Sequence, residues 1–199
     1  MDLKTFNEKI LKRLKRWSPL GEKTNKYGTE YIGHYDKDIP LAFLHELHKP
    51  EKTETILEAE QALRKRLPVQ YKEFLELFNG ASFFNPAGIN VFGVSKKEYF
   101  PEYEIRPWLF PSNIVECNSQ PWLKSLPPDA LILGRNDGIN ADIICLTNDG
   151  SILEYDPLEP DNILPQWSSF DEWLVSEIEN LNIEHDDSGQ LLEVNSTAH

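Results

Sequence analysis

The stretch TILEAEQALRKRLPVQYKEFLELFNG, Thr55 to Gly80, decides how the rest of the chain is read. Its apolar residues first fall at Ile56, Ala59, Leu63 and Leu67, a spacing of three to four that lines one face of a helix. Thr55 with Glu58 three positions on predicts a capping box, the hydroxyl and carboxylate satisfying free amides at that helix's start. Leu67-Pro68 interrupts the pattern, and proline, which has no amide to donate, fits the first position of a second helix. A second stripe follows at Tyr71, Phe74, Leu75 and Phe78, and Asn79-Gly80 stops it. The stretch is a pair of short amphipathic helices joined at a proline.

Downstream the period changes from about 3.6 to about 2. Ile89 to Val94 reads as a strand after the turn-forming Asn85-Pro86-Ala87-Gly88. Leu131 to Gly134, Asp142 to Leu146 and Ile152 to Tyr155 are three more short strands, with Asn148-Asp149-Gly150 a strong hairpin signal between the last two. Ser168 or Ser169 caps a final helix with its stripe at Phe170, Trp173, Leu174, Ile178 and Leu181. Between them, residues 95–129 crowd aromatics among prolines, a composition that forbids a long regular element. The expected fold is α+β: an antiparallel meander flanked by N-terminal helices and a C-terminal helix.

The ordered series resembles the SUKH superfamily. The resemblance rests on Ile56-x-x-x-Glu60-x-x-Leu63-x-x-x-Leu67-Pro68-x-x-Tyr71-x-x-Phe74-Leu75-x-x-x-Asn79-Gly80. It continues through Val91-Phe92-Gly93, Ile132-Leu133-Gly134, Ala141 to Leu146 and Ile152 to Asp156, and ends at Phe170-Asp171-Glu172-Trp173-Leu174. It covers roughly residues 54 to 181, and departs from the family pattern at Ala81, where a second glycine is usual. The superfamily contains fungal SMI/KNR-type cell-wall regulators and many bacterial immunity proteins. The resemblance therefore implies protein binding without catalysis, either neutralisation of a cognate toxin, often a nuclease, or a regulatory scaffold. It divides the chain into an extension over 1–50 with a basic amphipathic helix, a domain over 51–183 and an acidic, unstructured tail over 184–199.

Charge supports a cationic protein partner. The 199 residues carry a formal net charge of −13, unevenly spread. Residues 1–66 hold 14 Lys and Arg against 11 Asp and Glu, whereas residues 67–199 hold 6 against 22. Such an acidic surface repels nucleic acid phosphates and speeds encounter with basic proteins, though it also serves solubility alone. Nuclease clefts are basic, so an acidic partner suits them. Cys117 and Cys145 make no disulfide framework and read as reduced thiols. No apolar run approaches the roughly 20 residues of a membrane span, and no secretory leader is evident, so the expected location is cytoplasmic.

The N-terminal residues 2–17 place Leu3, Phe6, Ile10, Leu14 and Trp17 on one helical stripe among six lysines and arginines. Such a helix can lie on an anionic membrane, dock into a partner or pack on its own domain with its positive face toward the acidic half. The last needs no second molecule and is the reading taken here. Residues 18–50 read as an extension of modest structure, with a short strand over Glu30 to Tyr35 and a helical turn over Leu41 to Leu47.

Several constellations invite chemistry. His45-Glu46-Leu47-His48 spaces its histidines three apart, not the four of a zincin helix, and reads as two solvated histidines near a helix end; no metal or cofactor is expected. Asp137, Asp142, Asp149, Glu154 and Asp156 gather around the hairpins, where turn chemistry, an acidic protein-binding patch and a metal-dependent hydrolase are the three alternatives. No phosphate-binding glycine loop, nucleophile elbow or activated cysteine is present, which favours a non-enzyme. The partner-binding candidates are Asp137, Asn140, Asp142, Asp149, Glu154 and Asp156, with Trp108 and Trp122 as aromatic anchors. Trp17 and Trp173, on helical stripes, are assigned to packing.

Overall fold

The computed structural model describes residues 6–94, 112–119, 126, 130–137, 142–156 and 165–192. Among the described residues, nine strands form one sheet in sequence order. They are β1 (Glu22–Thr24), β2 (Glu30–His34), β3 (Phe43–Leu47), β4 (Ala81–Phe83), β5 (Ile89–Val91), β6 (Leu131–Asn136), β7 (Ile143–Leu146), β8 (Ile152–Tyr155) and β9 (Gln166–Trp167). Every neighbouring pair is antiparallel. The α+β meander expected from the sequence is therefore the fold.

The helix pair forms as α1 (Thr53–Leu63) and α2 (Val69–Leu77), with Pro68 as the N-cap of α2. The capping box does not. Helix α1 starts two residues before Thr55, from an extended Lys52 without a side-chain cap, and the Thr53 hydroxyl instead donates to Glu76 Oε1 of α2 at 2.8 Å. A single turn α3 (Ile114–Cys117) is capped by Asn113, whose side chain accepts from the Val115 and Glu116 amides. The last helix, α4 (Phe170–Glu184), is capped by Ser169 as expected.

Residues before α1 contribute more than the sequence indicates. Leu41 to Leu47 does not form a helical turn; Phe43–Leu47 is strand β3, paired with β2 on one side and β4 on the other. Strands on both sides of residue 51 thus hydrogen-bond in one sheet. Pairing between two strands outweighs the weak helical preference of Leu, Ala and Glu. His45 and His48 are accordingly not solvated: they are 0% and 6% exposed.

The N-terminal segment is helical but irregular, passing from a π turn (Asn7–Leu11) through Lys12–Leu14 to a 3-10 stretch (Lys15–Leu20). Its stripe of Phe6, Ile10, Leu14 and Trp17 is completely buried. Phe6 stacks near Phe78 of the helix pair at 4.9 Å between ring centres, and Trp17 meets Phe84 edge-on at 5.2 Å. Its basic face meets the acidic end of the same chain: Arg13 pairs with Glu179, and Arg16 pairs with Asp187 at 2.7 Å and donates to the Asn182 carbonyl. Trp17 Nε1 donates to the Asp186 carbonyl at 2.8 Å. The exposed ion pairs contribute little, and the buried aromatic stripe holds the segment in place.

The end of the chain folds back on this segment. After α4, the Asp186 carboxylate accepts from the amides of Ser188 and Gln190, closing a turn that brings Leu191 into a bridge with His185. Residues 185–192, expected as the start of an unstructured tail, hold this turn through those local hydrogen bonds. The core is one cluster in which Tyr71, Phe74, Phe170 and Trp173 join α2 to α4 through ring contacts of 5.2 to 5.6 Å.

Candidate functional site

The residues that carry the family resemblance turn out to be structural. Glu60 is buried, with Oε1 accepting from the Leu67 amide at 2.8 Å and pairing with Lys72 at 3.2 Å, so it locks the proline joint. Tyr71 donates its hydroxyl to the Phe92 carbonyl at 2.7 Å. Asn79 Oδ1 accepts from the Val94 amide at 2.7 Å, which ties the end of α2 to the segment after β5. Gly93 lies so close beneath that a Cβ there would stand 2.4 Å from the Asn79 carbonyl oxygen. These side chains are occupied in holding the helix pair on the sheet.

The carboxylates around β7 and β8 divide into three groups. Asp149 is a turn residue: its carboxylate accepts from the Thr147 and Ser151 hydroxyls and the Ser151 amide, and these bonds hold its carboxyl down to about 2. Gly150, at φ +89°, completes that hairpin. Asp137 pairs with Arg135 at 2.5 Å, and burial raises its carboxyl although that guanidinium opposes the rise. Asp142, Glu154 and Asp156 form the third group. Ile144 lies opposite Glu154 in the β7–β8 ladder, and the same register continued two positions, one past the last pair Ile143 and Tyr155, sets Asp142 across from Asp156 on the same side of the sheet. Asn140, Trp108 and Trp122 lie outside the described residues.

One member of this third group, Glu154, feels the charge of a carboxylate that the sequence pattern did not single out. Glu177 stands on α4 four residues after Trp173 and four before Leu181, within the stripe that packs on the sheet. Burial pushes the Glu154 carboxyl up to about 7, and the charges of Glu177 and Asp142 push it further in the same direction. Glu177 also rises to about 7, through burial and then Glu184. Asp142 rises through burial and Asp156. Glu154 Oε1 and Asp142 Oδ1 are buried and accept no hydrogen bond, in residues only 9% and 7% exposed. Among the described residues, no three His, Cys, Asp or Glu side chains converge as a metal ion would require.

A second polar feature crosses the sheet. Tyr31, Glu46, Ser82, Asn90 and Arg135 stand opposite one another on successive strands from β2 to β6. Asn90 Nδ2 donates to Ser82 Oγ at 3.0 Å, and Asn25 Nδ2 to the Tyr31 hydroxyl at 3.1 Å. Burial raises Glu46 to about 7, and burial with the Glu46 charge raises Tyr31 to about 12. The alternation of β2 and β3 was the signal for this row, once both segments were known as strands.

The other nucleophile and ligand candidates are packed away. His45 Nδ1 accepts from the Phe84 amide at 3.3 Å and its ring packs against both Trp17 and Phe84; burial, with a smaller contribution from His185, lowers it to about 3. Burial lowers His48 to about 4. Cys117 and Cys145 are free, and burial raises both thiols, Cys145 to about 12. Among the described residues, no helix is long and apolar enough to cross a membrane.

No curated protein matches the sequence. A family model described as the SMI1 / KNR4 family (SUKH-1) matches residues 50–176, a span from just before α1 into α4 that takes in the proline-joined helices and strands β4 to β9. That match covers more than half of the chain, and the protein belongs to the SMI1 / KNR4 (SUKH-1) family.

Proposed function

We propose that this protein is a non-catalytic protein-binding domain, an immunity protein that binds and neutralises a basic, nuclease-type toxin. The observation that carries the reading is the set of carboxylates Asp142, Glu154 and Glu177, in which the charges of Glu177 and Asp142 act on Glu154 and which, among the described residues, make no ion pair to a lysine or arginine. A chain of net charge −13 that leaves such a group without a cation suits a partner that supplies one. Asp156 and Asn140 border this surface in sequence, with Trp108 and Trp122 proposed as aromatic anchors. Asp137 and Asp149 are already engaged within the chain and contribute field rather than contact. The proposed location is the cytoplasm. A regulatory scaffold that docks through the basic N-terminal helix fits less well, because the apolar stripe of that helix is buried in its own core.

The test is calorimetric titration of the purified chain with the protein encoded by the neighbouring reading frame, at low and high salt, together with that protein's nuclease activity. Tight, salt-weakened binding that abolishes the activity supports the reading. Absence of binding, with no basic protein co-purifying from cells, sinks it.

A further inference from the structure

We infer that the row Glu46, Ser82, Asn90 and Arg135, which crosses strands β3 to β6, is a docking surface for an extended segment of a protein partner that carries a basic and an acidic side chain four residues apart. The register fixes the row: Glu46 pairs with Ser82, Ser82 with Asn90 and Asn90 with Arg135. Directly opposed residues share one side of a sheet, so these four side chains stand in line across it. Ile143 is next in the row, and its chain neighbour Ile144 is the residue opposite Glu154. Glu154 therefore points to the other side of the sheet, and this surface is separate from the carboxylates of β7 and β8.

The polar groups along the row are only partly used within the chain. Among the described residues Glu46 makes no hydrogen bond and no ion pair, and its oxygens are open to solvent, since they are not among the buried atoms that lack a partner. Asn90 Nδ2 donates to Ser82 Oγ at 3.0 Å, which leaves the other amide hydrogen and the carbonyl oxygen of Asn90 for an outside main chain. Arg135 pairs with Asp137 through Nε, yet its side chain is 54% exposed, and one carboxylate takes at most two of a guanidinium's five donors. Ser82 and Asn90 are short side chains between two long charged ones, so the row has a low polar floor with a carboxylate at one end and a guanidinium at the other.

The dimensions select the occupant. Neighbouring strands stand about 4.8 Å apart, so three steps set Glu46 and Arg135 about 14 Å apart at their backbones. An extended chain rises about 3.3 Å per residue with alternate side chains on one side, so residues four apart face the sheet together at about 13 Å. A basic side chain then meets Glu46 and an acidic one meets Arg135, while the main chain between them crosses Asn90. A segment of one sign only would set like charges together at one end. A second copy of the chain is disfavoured as the occupant, because each copy carries a net charge of −13.

The experiment uses the full chain with nitrogen-15 in its asparagine side chains and carbon-13 in its glutamate carboxyls. It is run at about pH 8, above the value of about 7 to which burial raises Glu46, so that the carboxyl is ionised. The probes are two peptides of identical composition and no net charge, acetyl-Gly-Lys-Gly-Gly-Gly-Glu-Gly-amide and acetyl-Gly-Gly-Gly-Lys-Glu-Gly-Gly-amide. The expected result is a saturable shift of the Asn90 side-chain and Glu46 carboxyl signals with the first peptide. The second, whose charges face opposite sides of an extended chain, binds about two- to fivefold more weakly, the size of one exposed ion pair. Glu46→Gln removes that preference. Arg135→Glu transfers it to the spaced peptide with lysine at both charged positions, a gain that a folding defect does not produce. Absence of any shift, equal binding of the two isomers, a preference that survives Glu46→Gln, or an Arg135→Glu chain with unaltered preference overturns the docking surface. Self-association of the chain that Glu46→Gln abolishes assigns the row to a second copy and overturns the assignment to a partner.

Discussion

Replacing Glu154 by glutamine keeps the side chain's shape and removes its charge, so it isolates the electrostatic cost of holding a carboxylate between β8 and α4. Burial first, then Glu177 and Asp142, carry this carboxyl from 4.5 to about 7. A shift of one unit corresponds to about 1.4 kcal/mol, so the folded protein gives up on the order of 1–3 kcal/mol when Glu154 ionises, after allowance for residual solvent. The sign follows from linkage. A carboxyl raised on folding binds its proton more tightly in the native state; its stabilising contribution is complete below 4.5 and is lost as pH rises through about 7. Glu154→Gln has no such loss. Urea denaturation of both proteins at about pH 5 and about pH 8 should give nearly equal stabilities at the lower pH and an advantage for the variant at the higher. A difference independent of pH, or a wild type that gains on the variant as pH rises, would refute the reasoning. The same measurement on Glu177→Gln and the double variant should show coupling, since removing either charge relieves its neighbour.

Other consequences are independent of the carboxylate group. Trp17→Ala should cost about 3–5 kcal/mol in denaturant unfolding, because it opens a cavity beside Phe84 and removes the bond to the Asp186 carbonyl, while Arg16→Ala should cost at most about 1 kcal/mol. Gly93→Ala should destabilise by on the order of 2 kcal/mol or more, since its Cβ would stand 2.4 Å from a backbone oxygen; a neutral result would contradict the close packing described. Nitrogen-15 spectra should show His45 neutral with its proton on Nε2 throughout the physiological range, because Nδ1 accepts from the Phe84 amide and burial lowers the ring to about 3. His45 and His48 then erode stability as pH falls below 6.5 and through about 4 and 3, opposing Glu154 and Glu177 and placing maximal stability between the two limbs. Asp149→Ala should lower the melting temperature modestly and leave partner binding intact, since its acceptors serve the hairpin.

How much of this was legible in the sequence depended on whether a pattern was local. The helix pair, the Asn148-Asp149-Gly150 hairpin and the capped final helix were readable because period, turn chemistry and caps act within a few residues. The buried stripe of Phe6, Ile10, Leu14 and Trp17 was readable for the same reason. Phe43–Leu47 was not: of its Phe, Leu, His and Glu residues only Phe43 favours a strand, and pairing with β2 and β4 makes one. The error carried over to His45 and His48, which looked solvated near a helix end and are interior, His45 on β3 and His48 just past its end. Asp142, Glu154 and Asp156 could be named as a group from their positions around one hairpin, but Asp149 could not be separated from them until its hydrogen bonds were known. Glu177 was hidden because a glutamate on an amphipathic helix looks like a surface residue until the facing strand is placed. The family signature marked residues that hold the fold, so it pointed toward the fold and away from the surface that acts.

The most direct test of the central claim is the affinity between the intact chain and the protein encoded beside it, measured by calorimetry for wild type and E154Q/E177Q. The account predicts a defined complex that weakens with salt, is weakened by about tenfold or more in the double variant and silences the partner's activity. A partner that binds both forms equally, or stays active when saturated, would contradict it.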